Sequence, residues 1–311
     1  MKILFFGSSD FSVPFLKAIL DSSHEIPAVI TTPSKPQGRG LKVQPNPVQA
    51  FADSRKLLCL APARLKDEQI LEQVKNMEPD LFVVASYGKF LPVAWLSLPK
   101  KYPLNVHPSL LPKYRGAAPV NWQIIRGEKT AGVSIFKMTA EMDSGDIAAQ
   151  AEFPIRDGET AQELLERLAA DGTFLLNEVL AKAEAAALTF TPQNHAEATL
   201  APKLKKEDGL IDWRKPACEI MSLVCGLAPW PGTFVLYKGE PLKIIQVKID
   251  GASCAEGEAG QIVEISKTGF LRLQTGQGTL LIERVQPAGK REMTAHEFAI
   301  GHRLQPGMMI L

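Results

Sequence analysis

Lys2-Ile3-Leu4-Phe5-Phe6-Gly7-Ser8-Ser9-Asp10 is an apolar run that breaks at a glycine and passes into three helix-capping residue types. Ile3 to Phe6 read as a buried strand ending at Gly7. Ser8, Ser9 and Asp10 suit an N-cap, Pro14 a first helical turn, and Phe11, Phe15, Ile19 and Leu20 form a helical stripe. Ile26 to Thr31 is the next apolar run. Strand, helix and strand at this spacing imply a parallel pair, hence an α/β chain with a Rossmann-like, open and mostly parallel sheet. The first turn lacks G-x-G-x-x-G and the chain has no Walker A sequence, which disfavours a dinucleotide or a mononucleotide cradle.

The same alternation continues. Helices are expected near 48–56 and 67–76, with a short strand at 57–60 between them. Asp80 to Ser86 is the strongest core strand, and Tyr87-Gly88 follows at its carboxyl end, where open α/β sheets place ligands. Strands at 103–106, 132–138 and 147–155 come next, the last an edge, with a helix at 120–126. Thr160-x-x-Glu163 is a capping box opening a long Leu-rich helix. Around 190–207 the pattern dissolves into a linker with a basic end, Lys203, Lys205 and Lys206. A helix near 217–225 follows, then five short strands and a closing helix at 294–302, a pattern that suggests a small OB-like β-barrel. The expected division is a catalytic domain over 1–189, a linker over 190–207 and a barrel domain over 208–311.

With 311 residues, 45% hydrophobic and 22% charged, the composition is that of an ordinary globular chain of two domains. The apolar run at 3–6 is far too short for a signal-peptide core, and nothing approaches the ~18 apolar residues of a membrane span, so no membrane association and a cytoplasmic location are expected. Cys59, Cys218, Cys225 and Cys254 show no C-x-x-C spacing, and the five histidines no metal-ligand pattern, so buried or incidental thiols and no metal are expected. The net charge of +1 announces no polyanion, but its distribution is uneven. Leu81 to Gly127 holds no acid while carrying Lys89, Lys100, Lys101, Lys113, Arg115 and Arg126; Ile26 to Ala52 again holds none, with Lys35, Arg39 and Lys42. A locally basic face on a neutral chain suggests one anionic partner at one place. Pro33 to Gln49 is an insertion rich in Pro and Gly, far longer than the ~2–6 residues of a usual βα loop. Fully extended it would reach roughly 25 Å out and back, with Arg39 between two glycines at its tip.

Asn105-Val106-His107-Pro108-Ser109-Leu110-Leu111-Pro112 places an Asn and a His on one face of a strand end, followed by an apolar, proline-held loop. With Asp143 of Met142-Asp143-Ser144-Gly145-Asp146 they are coherent for acyl transfer to an amine. The Asn amide and an imidazolium N–H can stabilise an oxyanion, and the carboxylate can orient the imidazole. Ser109 is a poor nucleophile candidate, since there is no G-x-S-x-G elbow. The plain alternative is a polar pair that caps a strand end.

Asn105 to Pro112, then Arg115-Gly116-Ala117-Ala118-Pro119 and Met142 to Asp146, resemble the 10-formyltetrahydrofolate-dependent formyltransferases. The resemblance implies a catalytic trio of Asn105, His107 and Asp143. It implies folate contacts from Ser109, Leu110, Leu111 and Pro112, with Val84, Ala85 and Tyr87 on the pterin side. The insertion and the second domain, with Asp212-Trp213, Trp230-Pro231 and Gln286-Pro287-Ala288-Gly289-Lys290, are similar to the members that formylate methionine carried on initiator tRNA. That similarity implies tRNA contacts from Lys35, Arg39 and Lys42 of the insertion and from Lys203, Lys205 and Lys206 of the linker, in a chain expected to act as a monomer. Two alternatives stay open: a formyltransferase acting on an amino-sugar nucleotide, and a non-catalytic RNA-binding protein.

Overall fold

The computed structural model describes residues 1–37, 42–250, 257–267 and 269–310; Arg39 and Cys254 lie outside them. The elements are β1 (Ile3–Gly7), α1 (Ser12–Leu20), β2 (Val29–Ile30), β3 (Lys35–Gln37), β4 (Lys42–Gln44), α2 (Pro47–Ser54), β5 (Cys59–Leu60), α3 (Glu68–Lys75), β6 (Leu81–Ala85), α4 (Val93–Leu96), β7 (Tyr102–His107), β8 (Arg115–Gly116), α5 (Pro119–Ile125), β9 (Thr130–Lys137), β10 (Ile147–Pro154), α6 (Ala161–Glu184) and β11 (Leu200–Ala201). Then come α7 (Ala217–Leu227), β12 (Thr233–Tyr237), β13 (Glu240–Ile249), β14 (Ile262–Ile265), β15 (Leu271–Gln274), β16 (Thr279–Pro287), β17 (Met293–Thr294) and α8 (Ala295–His302).

The first sheet has the order β10-β9-β7-β6-β1-β2-β5. Neighbours from β5 to β7 run parallel and β9 runs antiparallel to β7. The chain steps outward from β1 to β2 and β5, then returns to the other side of β1 as β6, so the order reverses between β1 and β6. Every residue of β1 and β6 is buried, as expected for strands covered on both faces. One side packs Leu4, Phe6, Phe82, Val84, Tyr87 and Trp95 together.

Local details depart from expectation for identifiable reasons. Ser8, Ser9 and Asp10 do not cap α1: Phe11 holds the cap position without a side-chain bond. Instead the Ser8 hydroxyl donates to the Tyr87 carbonyl oxygen at 2.9 Å and the Ser12 hydroxyl to that of Ala85 at 2.6 Å, tying the turn after β1 to the end of β6. The expected strand at 26–31 shrinks to Val29–Ile30, with Pro27, which has no N–H to donate, just before it. Within the insertion β3 and β4 pair antiparallel, with Lys35 opposite Gln44 and Gln37 opposite Lys42. Asn46 fastens the base of the insertion: it accepts from Thr31 Oγ1 at 3.0 Å, donates to Thr32 O at 2.8 Å and caps α2 through Gln49 N.

Two compact units are distinguished: residues 1–116, 131–153 and 165–201, and residues 117–130, 154–164 and 202–311. Within the second, α5 and α7 cross closely at Gly226, whose carbonyl accepts from Asn121 Nδ2 at 2.8 Å. Its antiparallel sheet has the order β12-β13-β16-β15-β14, with β17 added to β16. No pairing of β12 with β14 joins the two ends among the described residues, so the expected barrel is here a separate antiparallel sheet. Strand spacing predicts how many strands there are but carries no information on whether the outermost two meet. Trp213, Ile244, Leu273, Leu280 and Phe298 lie in its core. No helix of the described residues is long and apolar enough to cross a membrane.

Candidate active site

Alternation along β7 sets Asn105 and His107 on the same face, and the parallel β6 and antiparallel β9 on either side hold them there. His107 is only 4% exposed. Its Nε2 lies 3.0 Å from the Tyr114 carbonyl oxygen, which can only accept, so Nε2 carries a proton and donates. The other nitrogen, Nδ1, is thereby the one left for proton traffic, and it faces Asp143 Oδ2 at 3.8 Å. Asn105 is half-buried and no hydrogen bond of its side-chain amide is seen among the described residues, leaving a donor beside the imidazole.

Asp143 is held by its backbone and by its carboxylate. Its φ of +50° lies in the left-handed region, which Asp tolerates better than most residues. Oδ2 accepts from the Gly116 N–H at 2.9 Å. Ser144 and Thr139 join their hydroxyls across the loop at 3.0 Å. Gly145 passes so close to β9 that a Cβ there would sit 1.8 Å from the Lys137 carbonyl oxygen, which admits only glycine. A Cβ on Gly116 would sit 2.6 Å from Ala201 O.

The loop after β7 is held from within. The Ser109 hydroxyl donates to Lys113 O at 2.8 Å, so Ser109 braces the turn with its side chain. Ser134 of β9 uses all three of its hydrogen-bonding positions here: it donates to Ser109 O and accepts from Leu111 N at 3.0 Å and from Gln150 Nε2 at 2.8 Å. Leu111 is buried, whereas Leu110 and Pro112 are partly exposed. Val84, Ala85 and Tyr87 are buried, and the Tyr87 ring packs edge-on to Phe6 at 5.6 Å. Burial pushes the Tyr87 hydroxyl up to about 12, and that hydroxyl has no hydrogen-bond partner among the described residues.

Several cations of the acid-free run 81–127 are engaged within the fold. Lys89 donates to Pro62 and Ala63 carbonyls, Lys100 pairs with Glu78 at 2.9 Å, and Lys101 donates to Ala183 O at 2.7 Å. Acids and carbonyls distant in sequence satisfy them, which a count along the chain cannot register. Lys113, Lys203, Lys205 and Lys206 are exposed, and Lys35 and Lys42 stand on the paired β3 and β4. No cluster of three His, Cys, Asp or Glu suited to a metal occurs among the described residues.

Sequence reasoning missed Ser134, Gln150 and above all Gln193. The polar Ser134 within the apolar run 131–136 is a readable sign, whereas Gln193 lies in an irregular stretch with no local pattern to single it out.

The chain matches the family described as Formyl transferase over residues 1–180, and its C-terminal domain over residues 203–303. It belongs to the formyltransferase family. A protein named methionyl-tRNA formyltransferase from Alkaliphilus oremlandii is 40% identical over 310 residues, covering 100% of this chain and 99% of that protein. One of the same name from Moorella thermoacetica is also 40% identical, with the same coverage. The fold is shared with WlaRD, a sugar 3N-formyl transferase determined in the presence of dTDP and 5-N-formyl-THF. The TM-score is 0.71 at 18% identity, covering 94% of this chain and 99% of that one.

Proposed function

We propose that this formyltransferase moves a formyl group from 10-formyltetrahydrofolate to the α-amino group of methionine esterified to initiator tRNA. The observation that carries the reading is similarity along the whole chain, both family segments included, to proteins named for that acceptor.

An esterified amino acid exposes an amine with a reference pKa of roughly 7.7–8.0, partly neutral at working pH and able to attack the formyl carbon. The tetrahedral intermediate places negative charge on the former carbonyl oxygen. Asn105, whose amide has no hydrogen-bond partner among the described residues, supplies a donor to that oxygen. His107 presents Nδ1 for proton movement because Tyr114 O occupies its Nε2–H, and Asp143 faces the same nitrogen. The new N–C bond forms as this intermediate is made, and its collapse breaks the bond from the formyl carbon to the folate nitrogen, which takes up the proton the amine has lost.

In this reading Leu110 and Pro112 border the folate, Ser109 and Leu111 keep their loop in shape, and the Val84, Ala85 and Tyr87 segment lies on the pterin side. Lys35, Arg39 and Lys42 of the insertion, and Lys203, Lys205 and Lys206, meet tRNA phosphates. Residues 1–189 act as the catalytic domain, 190–207 as linker and 208–311 as an OB-like tRNA-binding module, in a cytoplasmic monomer. The experiment is formyl transfer to charged initiator tRNA, with an amino-sugar nucleotide as rival acceptor. Transfer only to the sugar nucleotide, or to neither acceptor, would overturn the proposal.

A further inference from the structure

Gln193 lies in a stretch that is irregular in sequence, yet it is 5% exposed and makes four hydrogen bonds. Its carbonyl oxygen accepts from Arg115 Nε at 3.2 Å and from one terminal guanidinium nitrogen at 2.6 Å. Its amide nitrogen donates to Asp143 O at 2.9 Å and to Gly145 O at 2.7 Å. Arg115 is itself 6% exposed, and its guanidinium has Gln193 and His195 Nδ1 as its described hydrogen-bond partners, the latter at 3.1 Å. Immediately after Arg115, Gly116 donates its N–H to Asp143 Oδ2, and the Arg115–Gly116 strand pairs with Leu200–Ala201.

Asp143 is thus gripped at two atoms by one connected set of groups. Gly116 holds the carboxylate, and Gln193 holds the backbone that keeps this left-handed residue in place. Arg115 belongs to both routes, as the neighbour of Gly116 and as the donor that orients the Gln193 amide. We propose that Gln193 is a positioning residue for the formyl-transfer reaction, acting through Asp143, and that Arg115 sets its orientation. The stretch from 193 to 201 is then part of the catalytic apparatus and more than a tether. The proposal rests on the reading of Asp143 as a catalytic group.

The side chain's chemistry provides a selective test. Gln193→Glu keeps acceptors for Arg115 and gains an ion pair, but it has no N–H for the Asp143 and Gly145 carbonyls and turns negative charge toward them. Misplacement of a catalytic group by about 1 Å is associated with losses near 10²-fold. Gln193→Glu should therefore lower kcat roughly 10- to 100-fold with KM for both substrates within about threefold, at temperatures well below the variant's own melting transition, which the buried carboxylate lowers. Exchange of the Gly116 amide hydrogen, read without any substrate, should quicken at least about tenfold as the carboxylate loosens.

Asp143→Asn serves as the reference. If Gln193 acts through Asp143, adding Gln193→Glu to Asp143→Asn lowers kcat no further; full multiplication of the two losses would overturn the proposal. So would an unchanged kcat for Gln193→Glu, or a loss that tracks only a fall in melting temperature. If Asp143→Asn by itself left transfer unchanged, the catalytic reading of Asp143 would fall. The Gly116 exchange would still report whether Gln193 holds that carboxylate.

Discussion

The two sheets solve burial differently. In the N-terminal sheet, consecutive residues of β1 and β6 are all buried, because a parallel sheet has both faces covered. In the C-terminal sheet β13 alternates: Leu242 and Ile244 face the core while Lys243 lies outside. The alternation slips before Val247, at a register shift opposite Arg284. The parallel sheet therefore concentrates function where its strands end, since its faces are occupied, and the antiparallel sheet keeps a whole face available. The proposed chemistry sits on the first sheet at the carboxyl end of β7, next to β6, and the proposed large partner would use the face that the second sheet leaves open.

This contrast can be broken first by core truncation. Phe5→Ala and Phe6→Ala, neighbours pointing to opposite sides of β1, should each destabilise by about 3–5 kcal/mol in denaturant unfolding. In β13, Leu242→Ala should cost about 2–5 kcal/mol, whereas its neighbour Lys243→Ala should stay within about 0.5 kcal/mol. Two mild outcomes for Phe5 and Phe6 would contradict a doubly covered sheet.

The next largest effect separates chemistry from fold. Asn105→Ala and His107→Ala should each reduce kcat by about 10²–10³, equivalent to roughly 2.7–4 kcal/mol, with little change in folate affinity. Unchanged rates would remove the proposed oxyanion and proton-transfer roles.

A smaller effect addresses the acceptor. Substituting Lys203, Lys205 and Lys206 together by Ala should flatten the slope of log affinity against log salt for tRNA by about 2–3 units, leaving folate binding as it was. An unaltered slope would place the tRNA elsewhere.

The smallest tests local chemistry in the second unit. Thr294 and Glu297 form a reciprocal cap on α8, so Thr294→Ala should cost about 1 kcal/mol of stability and leave formyl transfer intact. The same box at Thr160 and Glu163 opens α6, and hydrogen bonding to Thr160 holds the Glu163 carboxyl below the usual range.

Most element positions were legible because they depend on short-range periodicity: the buried runs of β1 and β6, the Leu stripe and capping box of α6, and the Asn105–His107 pair at a strand end. The cap of α1 was misread because Ser8 and Ser12 found better acceptors on a strand some seventy residues away in sequence. Part of the basic run 81–127 is likewise spoken for by distant groups, since Lys100 is paired with Glu78 and Arg115 is buried against Gln193. Gln193 carried no local signal at all, because a lone amide in a Thr-Pro-Gln-Asn stretch looks like any loop residue.

Local spacing alone specified an α/β chain with a second β-rich domain and named Asn105, His107 and Asp143 as candidates. Packing decided how those three meet: which imidazole nitrogen is free, how Asp143 is held in a left-handed conformation, and that residues 193–201 reach back to hold it. It also decided that the outermost strands of the second sheet do not pair among the described residues. Periodicity is a property of neighbours along the chain, whereas hydrogen-bond partnership and burial depend on which distant segments the fold brings within about 3 Å.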